Sequence, residues 1–329
     1  MEGLDKSIAS GQERRYLIVG AGGCGGSIGA FLARAGKYVQ LIARGSHLEA
    51  MKQHGLRMET TRFGSFCTCP AGVYDEAEYI KGLEAKAYHK PDVIFVCVKY
   101  YSLKALVPFL RAVCSESTVI IPILNIYGTG QMLRDELLGC MVTDGCMYIA
   151  AEIKEPGCVV QKGDIFKIVY GVVDFVQEAP VLEAIRKDLF DSRIEGIIST
   201  DIRRDALIKF SLVSPMAACG VFYNVRVGKM QYEGEQRETF IKLVEEIRTL
   251  GRAMGIELPK QLTEMNLKLI DSLLPDACAS MQRDLWQGRE SEIEGILFEV
   301  PRMAQRAGVY LPVYEKIAKK LKADLKRSL

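Results

Sequence analysis

The chain has 329 residues, 49% hydrophobic and 26% charged, enough for one large or two medium globular domains around a sizeable core. A net charge of +2 gives no reason to expect nucleic acid or an anionic membrane as the main partner. Ten scattered cysteines, with no C-x-x-C pair and only three histidines in the chain, argue against a zinc module and fit a reduced, cytoplasmic protein.

The opening "MEGLDKSIASGQERR" is polar, lacks a signal-peptide pattern and reads as a frayed tail. Next, "RRYLIVGAGGCGGSIGAFLARAGKYVQLIARG" predicts strand, glycine turn, helix and strand. Tyr16–Val19 is an apolar entry to the turn, and Ile28, Phe31 and Leu32 recur at helical spacing. Gly20, Gly22 and Gly25 form G-x-G-x-x-G in that context. The first glycine allows a tight turn, and the second lets backbone approach a pyrophosphate at the helix N-terminus. Gly23 and Cys24 share the turn and are candidate cofactor contacts with the three.

The second strand ends in "LIARGS", where an NAD-type site would carry an acidic residue. Arg44, with Ser46, suits a 2′-phosphate instead and selects NADP(H); a solvated loop cation is the plainer reading of Arg44. Further β/α alternation follows, through the strands "DVIFVCVK" (92–99) and "TVIIPILN" (118–125). Near-continuous apolar strands separated by helices predict a parallel sheet covered on both faces. Lys99 and Asn125 end these strands, where ligands bind in open α/β sheets. They read as ligand contacts or as the polar starts of loops.

From 141 to 170, strand follows strand, which predicts antiparallel additions to the sheet edge. After about residue 200 the pattern is almost wholly helical. The expected organisation is therefore an α/β Rossmann-type domain over 12–199, with antiparallel edge strands, and an all-helical domain over 200–329 for substrate and dimerisation.

Reducing a carbonyl with hydride requires an acid for the new alkoxide. His47, His54 and His89 all sit in surface-like settings, which leaves lysine or tyrosine. In "DALIKFSLVSPMAACGVFYNVR" the one charged residue between Asp205 and Arg226 is Lys209. Burial lowers a lysine pKa toward a usable acid; a lysine snorkelling its stem along apolar surface is the alternative. The stretch is also long enough to raise a membrane question, but Lys209, Pro215 and Gly220 favour a buried helix.

Together these residues resemble the ketopantoate reductase (2-dehydropantoate 2-reductase) family, from Gly20 to about Pro312 and more closely in the first half. That resemblance implies NADPH-dependent reduction of ketopantoate to pantoate, a step toward pantothenate and coenzyme A. Residue by residue, it carries the glycine turn onto Gly20, Gly22 and Gly25, the phosphate-selecting arginine onto Arg44, and the strand-end lysine onto Lys99. Asn125 matches the asparagine of the family's N-G-x-G turn, though Ile126, Tyr127 and Gly128 follow it here. Lys209 matches the general acid, and "SMQRDLWQGRESE" supplies Ser280, Asp284 and Glu292. By the same resemblance, Ser280 and Asp284 contact substrate, while Glu292 orients the lysine and the cofactor. "SEIE" at 291–294 also reads as a helix capping box.

Val213, Ala217 and Val227 stand where the family places asparagines, and Asn224 is the one amide left nearby. Three lost amides leave a more hydrophobic 2-keto acid, or a non-catalytic NADPH-binding protein, as alternatives to ketopantoate chemistry. The expected partners are a small 2-keto acid and a second copy of the chain, with no nucleic acid, membrane or metal.

Overall fold

The computed structural model describes residues 13–173 and 179–327. The frayed tail expected over 1–15 falls mostly on 1–12, outside this range, but its last residues are tied down. Arg14 Nε donates to Asp188 Oδ2 at 2.6 Å and Arg15 Nε to Asp92 Oδ2 at 2.9 Å. Lys37 Nζ and Tyr16 Oη also donate to Asp188, each at 2.6 Å. Burial alone would push the Asp188 carboxyl up; its three donors outweigh that and hold it below the usual aspartate range.

The chain divides into two compact units, one running to Leu124 and through Gly128–Ile202, the other made of Asn125–Tyr127 and the chain from Arg203 on. In the first, β1 (Arg15–Val19) leads through the glycine turn to α1 (Gly23–Arg34) and β2 (Tyr38–Ile42). Then come α2 (Gly45–His54), β3 (Leu56–Thr60), β4 (Gly64–Thr68), β5 (Gly72–Tyr74), α3 (Glu76–Glu84), β6 (Val93–Val96) and α4 (Tyr100–Val113). β7 (Val119–Pro122), α5 (Thr129–Glu136), β8 (Met141–Val142), β9 (Asp144–Glu155), β10 (Cys158–Gly171), α6 (Pro180–Asp191) and β11 (Glu195–Ile198) complete it. One sheet is all parallel in the order β5-β2-β1-β6-β7-β8, the doubly wound dinucleotide-binding arrangement. Its central strands are apolar because helices cover both faces. β6 and β7 stop at Val96 and Pro122, where their mutual ladder ends, so Lys99 and Asn125 lie three residues beyond the strands.

The strands of 141–170 do not extend the edge of this sheet as antiparallel additions. Only β8 joins it, in parallel, while β9 and β10 enter a second sheet of order β11-β10-β3-β4, with β9 antiparallel to β10. The reason is the β3–β4 hairpin, whose free edge pairs in parallel with the first half of β10. The second half of β10 pairs with β11.

α1 packs against both sheets, which is why its residues Gly25–Leu32 are all buried. Adjacent glycines make the double approach possible. A Cβ on Gly25 would lie 3.0 Å from Ile18 Cγ2 of β1, and one on Gly26 would lie 2.9 Å from Val159 Cγ2 of β10.

The second unit contains α7 (Ile202–Tyr223, counted from Arg203), α8 (Glu235–Ala253), α9 (Leu262–Ser272) and α10 (Ser280–Trp286). A π-helical turn (Glu294–Phe298), α11 (Glu299–Arg306) and α12 (Pro312–Arg327) follow. α7 passes the length and composition test for a membrane span, yet half of that window is buried inside the protein, as in a core helix. Pro215 lies within it and cannot donate to the Ser211 carbonyl one turn back. Asn266 of α9 supplies the missing donor, from Nδ2 to Ser211 O at 3.2 Å and to Ser211 Oγ at 2.9 Å. Pro301 poses the same problem for the π turn, whose i+5 pattern would need its N–H for Ile296 O. Ser214 Oγ donates to Ile296 O at 2.6 Å instead, and pairs with Tyr314 Oη at 2.8 Å.

Candidate active site

In the first unit, the glycine turn is shaped by backbone. Gly20 and Ala21 both donate their N–H to Ile42 O, each at 3.1 Å, which folds the chain sharply back beside β2. Gly20 adopts φ +94°, a left-handed conformation open to glycine. A Cβ on Gly25 would sit 2.2 Å from Gly20 O, and one on Gly23 2.5 Å from Ala151 O of β9. At Gly22, by contrast, a Cβ would meet nothing within 4 Å. Gly22 is also the N-cap of α1 and offers no side-chain cap, so among the described residues the space its Cβ would take stays open at the start of the helix. This arrangement fits a dinucleotide phosphate. Cys24 is half-buried against the core.

Arg44 is the exposed N-cap of α2, with its Nη2 3.4 Å from Ser102 Oγ, and Ser46 beside it is also exposed. Lys99 is the half-buried N-cap of α4.

One residue that the sequence reading set at the surface is misplaced there. His47 is half-buried and bridges two backbones, its Nε2 2.9 Å from Ala21 O and its Nδ1 2.9 Å from Gly157 N. Burial pushes its pKa below the ordinary histidine value, and the Ala21 bond offsets this in part. No local pattern announces the role, because the partners lie 26 and 110 residues away.

In the second unit, Lys209 is half-buried on α7 and its Nζ donates to Asn125 Oδ1 at 2.7 Å. The bond joins groups 84 residues apart. Phe210 supports the same tripeptide, with its ring 6.3 Å from that of Tyr127. Ser280 opens α10, and Asp284 within it accepts from Arg289 Nε at 3.1 Å. Glu292 is buried, at 4% exposure. The capping box expected over 291–294 does not form: the N-cap of the π turn is Ile293, without a side-chain cap, and the Glu294 carboxylate pairs with Arg302.

Val213 is half-buried, while Ala217 and Val227 are core residues at 0% and 1% exposure. Asn224 does not fill the gap. It ends α7 at φ +53° and accepts from Trp286 Nε1 at 2.7 Å.

Models of two domains, "Ketopantoate reductase PanE/ApbA" and "Ketopantoate reductase PanE/ApbA C terminal", match residues 16–174 and 201–325. The chain belongs to the ketopantoate reductase family. Members of that family differ widely from it in sequence. The "uncharacterized oxidoreductase YkpB" of Bacillus subtilis is 25% identical over 306 residues, covering 92% of this chain and 96% of its own. The 2-dehydropantoate 2-reductase of Pyrococcus horikoshii is 24% identical over 304 residues, covering 91% and 93%. Among solved structures, a ternary complex of D-mandelate dehydrogenase with NADH and anilino(oxo)acetate superposes with a TM-score of 0.82 at 19% identity, covering 94% of this chain and 97% of that one. An oxidoreductase fold of the ketopantoate reductase type is thus shared along nearly the whole chain.

Proposed function

We propose that this family member is an NADPH-dependent reductase of 2-keto acids, with ketopantoate as the first substrate to test. The observation that carries the proposal is the 2.7 Å bond from Lys209 Nζ to Asn125 Oδ1, in a chain that also holds an uncapped glycine turn. When bound, NADPH supplies the hydride that reaches the carbonyl carbon. The turn around Gly22 would hold its pyrophosphate, and Arg44, exposed and basic, would take the 2′-phosphate.

Lys209 donates a proton to the carbonyl oxygen as that oxygen becomes a hydroxyl, and water then reprotonates the amine. Asn125 Oδ1 occupies one ammonium N–H and fixes the bearing of the other two. Ser280 and Glu292 complete the assignment, as substrate contact and as orienter of the lysine. Asp284, the remaining substrate contact of the assignment, has its carboxylate engaged by Arg289. A cytoplasmic setting agrees with ten cysteines that form no disulfide among the described residues.

A second reading concerns the substrate. The apolar Val213, Ala217 and Val227 leave no amide at these positions for a hydroxyl of ketopantoate, at a cost of about 1–3 kcal/mol per unpaired group. This favours a bulkier, more apolar 2-keto acid, in line with the aromatic keto acid analogue in the D-mandelate dehydrogenase complex. The test is NADPH oxidation over a panel of ketopantoate, branched and aromatic 2-keto acids, each run with the Lys209→Ala variant. Turnover of one panel member, lost in the variant, supports the proposal. NADPH binding without turnover of any member points to a non-catalytic binding protein and overturns it.

A further inference from the structure

We infer that His47 is a positioning residue for dinucleotide binding, its neutral ring holding the glycine turn in shape and letting it go on protonation. The inference rests on the nucleotide reading of that turn. Gly157 N–H lies 2.9 Å from Nδ1 and can only donate, so Nδ1 must carry a lone pair. The single ring proton then sits on Nε2 and donates to Ala21 O at 2.9 Å. One neutral tautomer satisfies both bonds. The other tautomer and the imidazolium each set an N–H on Nδ1 against the N–H of Gly157.

The consequence for the turn follows from peptide geometry. Ala21 C=O and Gly22 N–H belong to one planar trans unit and point in opposite directions. Holding the carbonyl on His47 therefore aims the Gly22 N–H away from the ring, at the position where a Cβ would meet nothing within 4 Å. The far anchor is itself fixed. Gly157 O accepts from Arg57 N at 2.9 Å, and Gly157 sits at φ +76°, where its Cβ would lie 3.0 Å from Ala50 Cβ of α2.

The surrounding charges do not govern the ring. On its own helix are Arg44 at the N-cap, Glu49, Lys52 and His54, and Lys52 pairs with Glu78. Beside the β9–β10 turn, Arg57 pairs with Glu155, and Lys154 with Glu59. The glycine turn offers the Cys24 thiol and the start of β10 the Cys158 thiol, while Lys162, Asp164, Lys167 and Tyr170 follow further along β10. Burial comes first in setting the titration, with the Ala21 bond second, and none of these groups enters. The folded pKa lies below the ordinary 6.5, so the clamp is complete above that pH and is lost as pH falls through the lower folded value.

The test measures the NADPH Kd by fluorescence from pH 8 to pH 5 for the wild type, His47→Ala and His47→Gln, with a thermal melt of each. Glutamine can accept from Gly157 and donate to Ala21 without titrating. At pH 8, His47→Ala should bind about tenfold more weakly and His47→Gln should recover most of the loss. On acidification the wild type should lose affinity more steeply than His47→Gln, because titration of the ligand's own phosphate is common to all three. Equal Kd values and parallel pH profiles across the three overturn the inference while leaving the nucleotide reading intact. Failure of His47→Gln to rescue, with melts lowered equally in both variants, assigns His47 a purely structural role and also overturns it. No dinucleotide binding by the wild type overturns both.

Discussion

The glycine turn of the first unit and the α7 face of the second both set polar groups among apolar neighbours, but with different materials. In the turn the polar groups are backbone N–H and C=O, and what matters is the side chains that are missing at Gly20, Gly22 and Gly25. On α7 they are side chains, and the backbone is the liability, since Pro215 strips it of a donor that Asn266 must replace. A contiguous motif can specify the first arrangement. The second needs residues from α7, α9 and the π turn to agree.

The largest effect that would break this contrast is at Lys209. Lys209→Ala should lower kcat by about 10²–10⁴-fold with the NADPH Kd unchanged, since a general acid acts on the reacting atoms. Steady-state kinetics beside a binding titration checks it, and loss of cofactor affinity would place the lysine in the nucleotide site instead. Gly25→Ala should do the reverse. Its Cβ would meet Gly20 O at 2.2 Å, a backbone atom, so the turn must open, costing about 1–3 kcal/mol of stability and weakening NADPH binding. Calorimetric unfolding and the same titration read both quantities.

Arg44→Ala sharpens the cofactor side. Loss of a charge-assisted bond of about 1.5–3 kcal/mol should raise the NADPH Kd by about 10–100-fold and leave that of NADH untouched. An equal loss for both cofactors would show Arg44 to be no reader of the 2′-phosphate. Asn266→Leu tests the helical side, where stranding Ser211 O should cost about 1–3 kcal/mol, seen as a lower denaturant midpoint. The smallest expected effect is at acid pH. Asp188 is held below its ordinary 3.8, so its contribution is present above that value and fades as pH falls through the lower folded pKa. Asp188→Asn should flatten that part of the stability profile.

The sequence made the parallel sheet, the glycine turn and the switch to helices legible, because each is written in local periodicity or in adjacent glycines. It also offered Lys209, a lone charge in an apolar run. It missed the second sheet because the pairing of β10 with β3 joins residues about a hundred apart, with no local trace of the partner. His47 was hidden for a similar reason: both of its partners are backbone atoms, and backbone has no signature in a sequence. The capping box at 291–294 was a fair local pattern that does not form, because Glu294 pairs with Arg302 and the turn begins at an Ile293 N-cap.

An ordinary residue at 215 would bring its own N–H to Ser211 O and leave the Asn266 amide to Ser211 Oγ alone; a leucine at 266 alone would orphan the carbonyl. The same bind joins 301 with Ser214, whose hydroxyl answers Ile296. These positions can therefore drift only as couples, and each couple has a member on α7 less than two turns from Lys209.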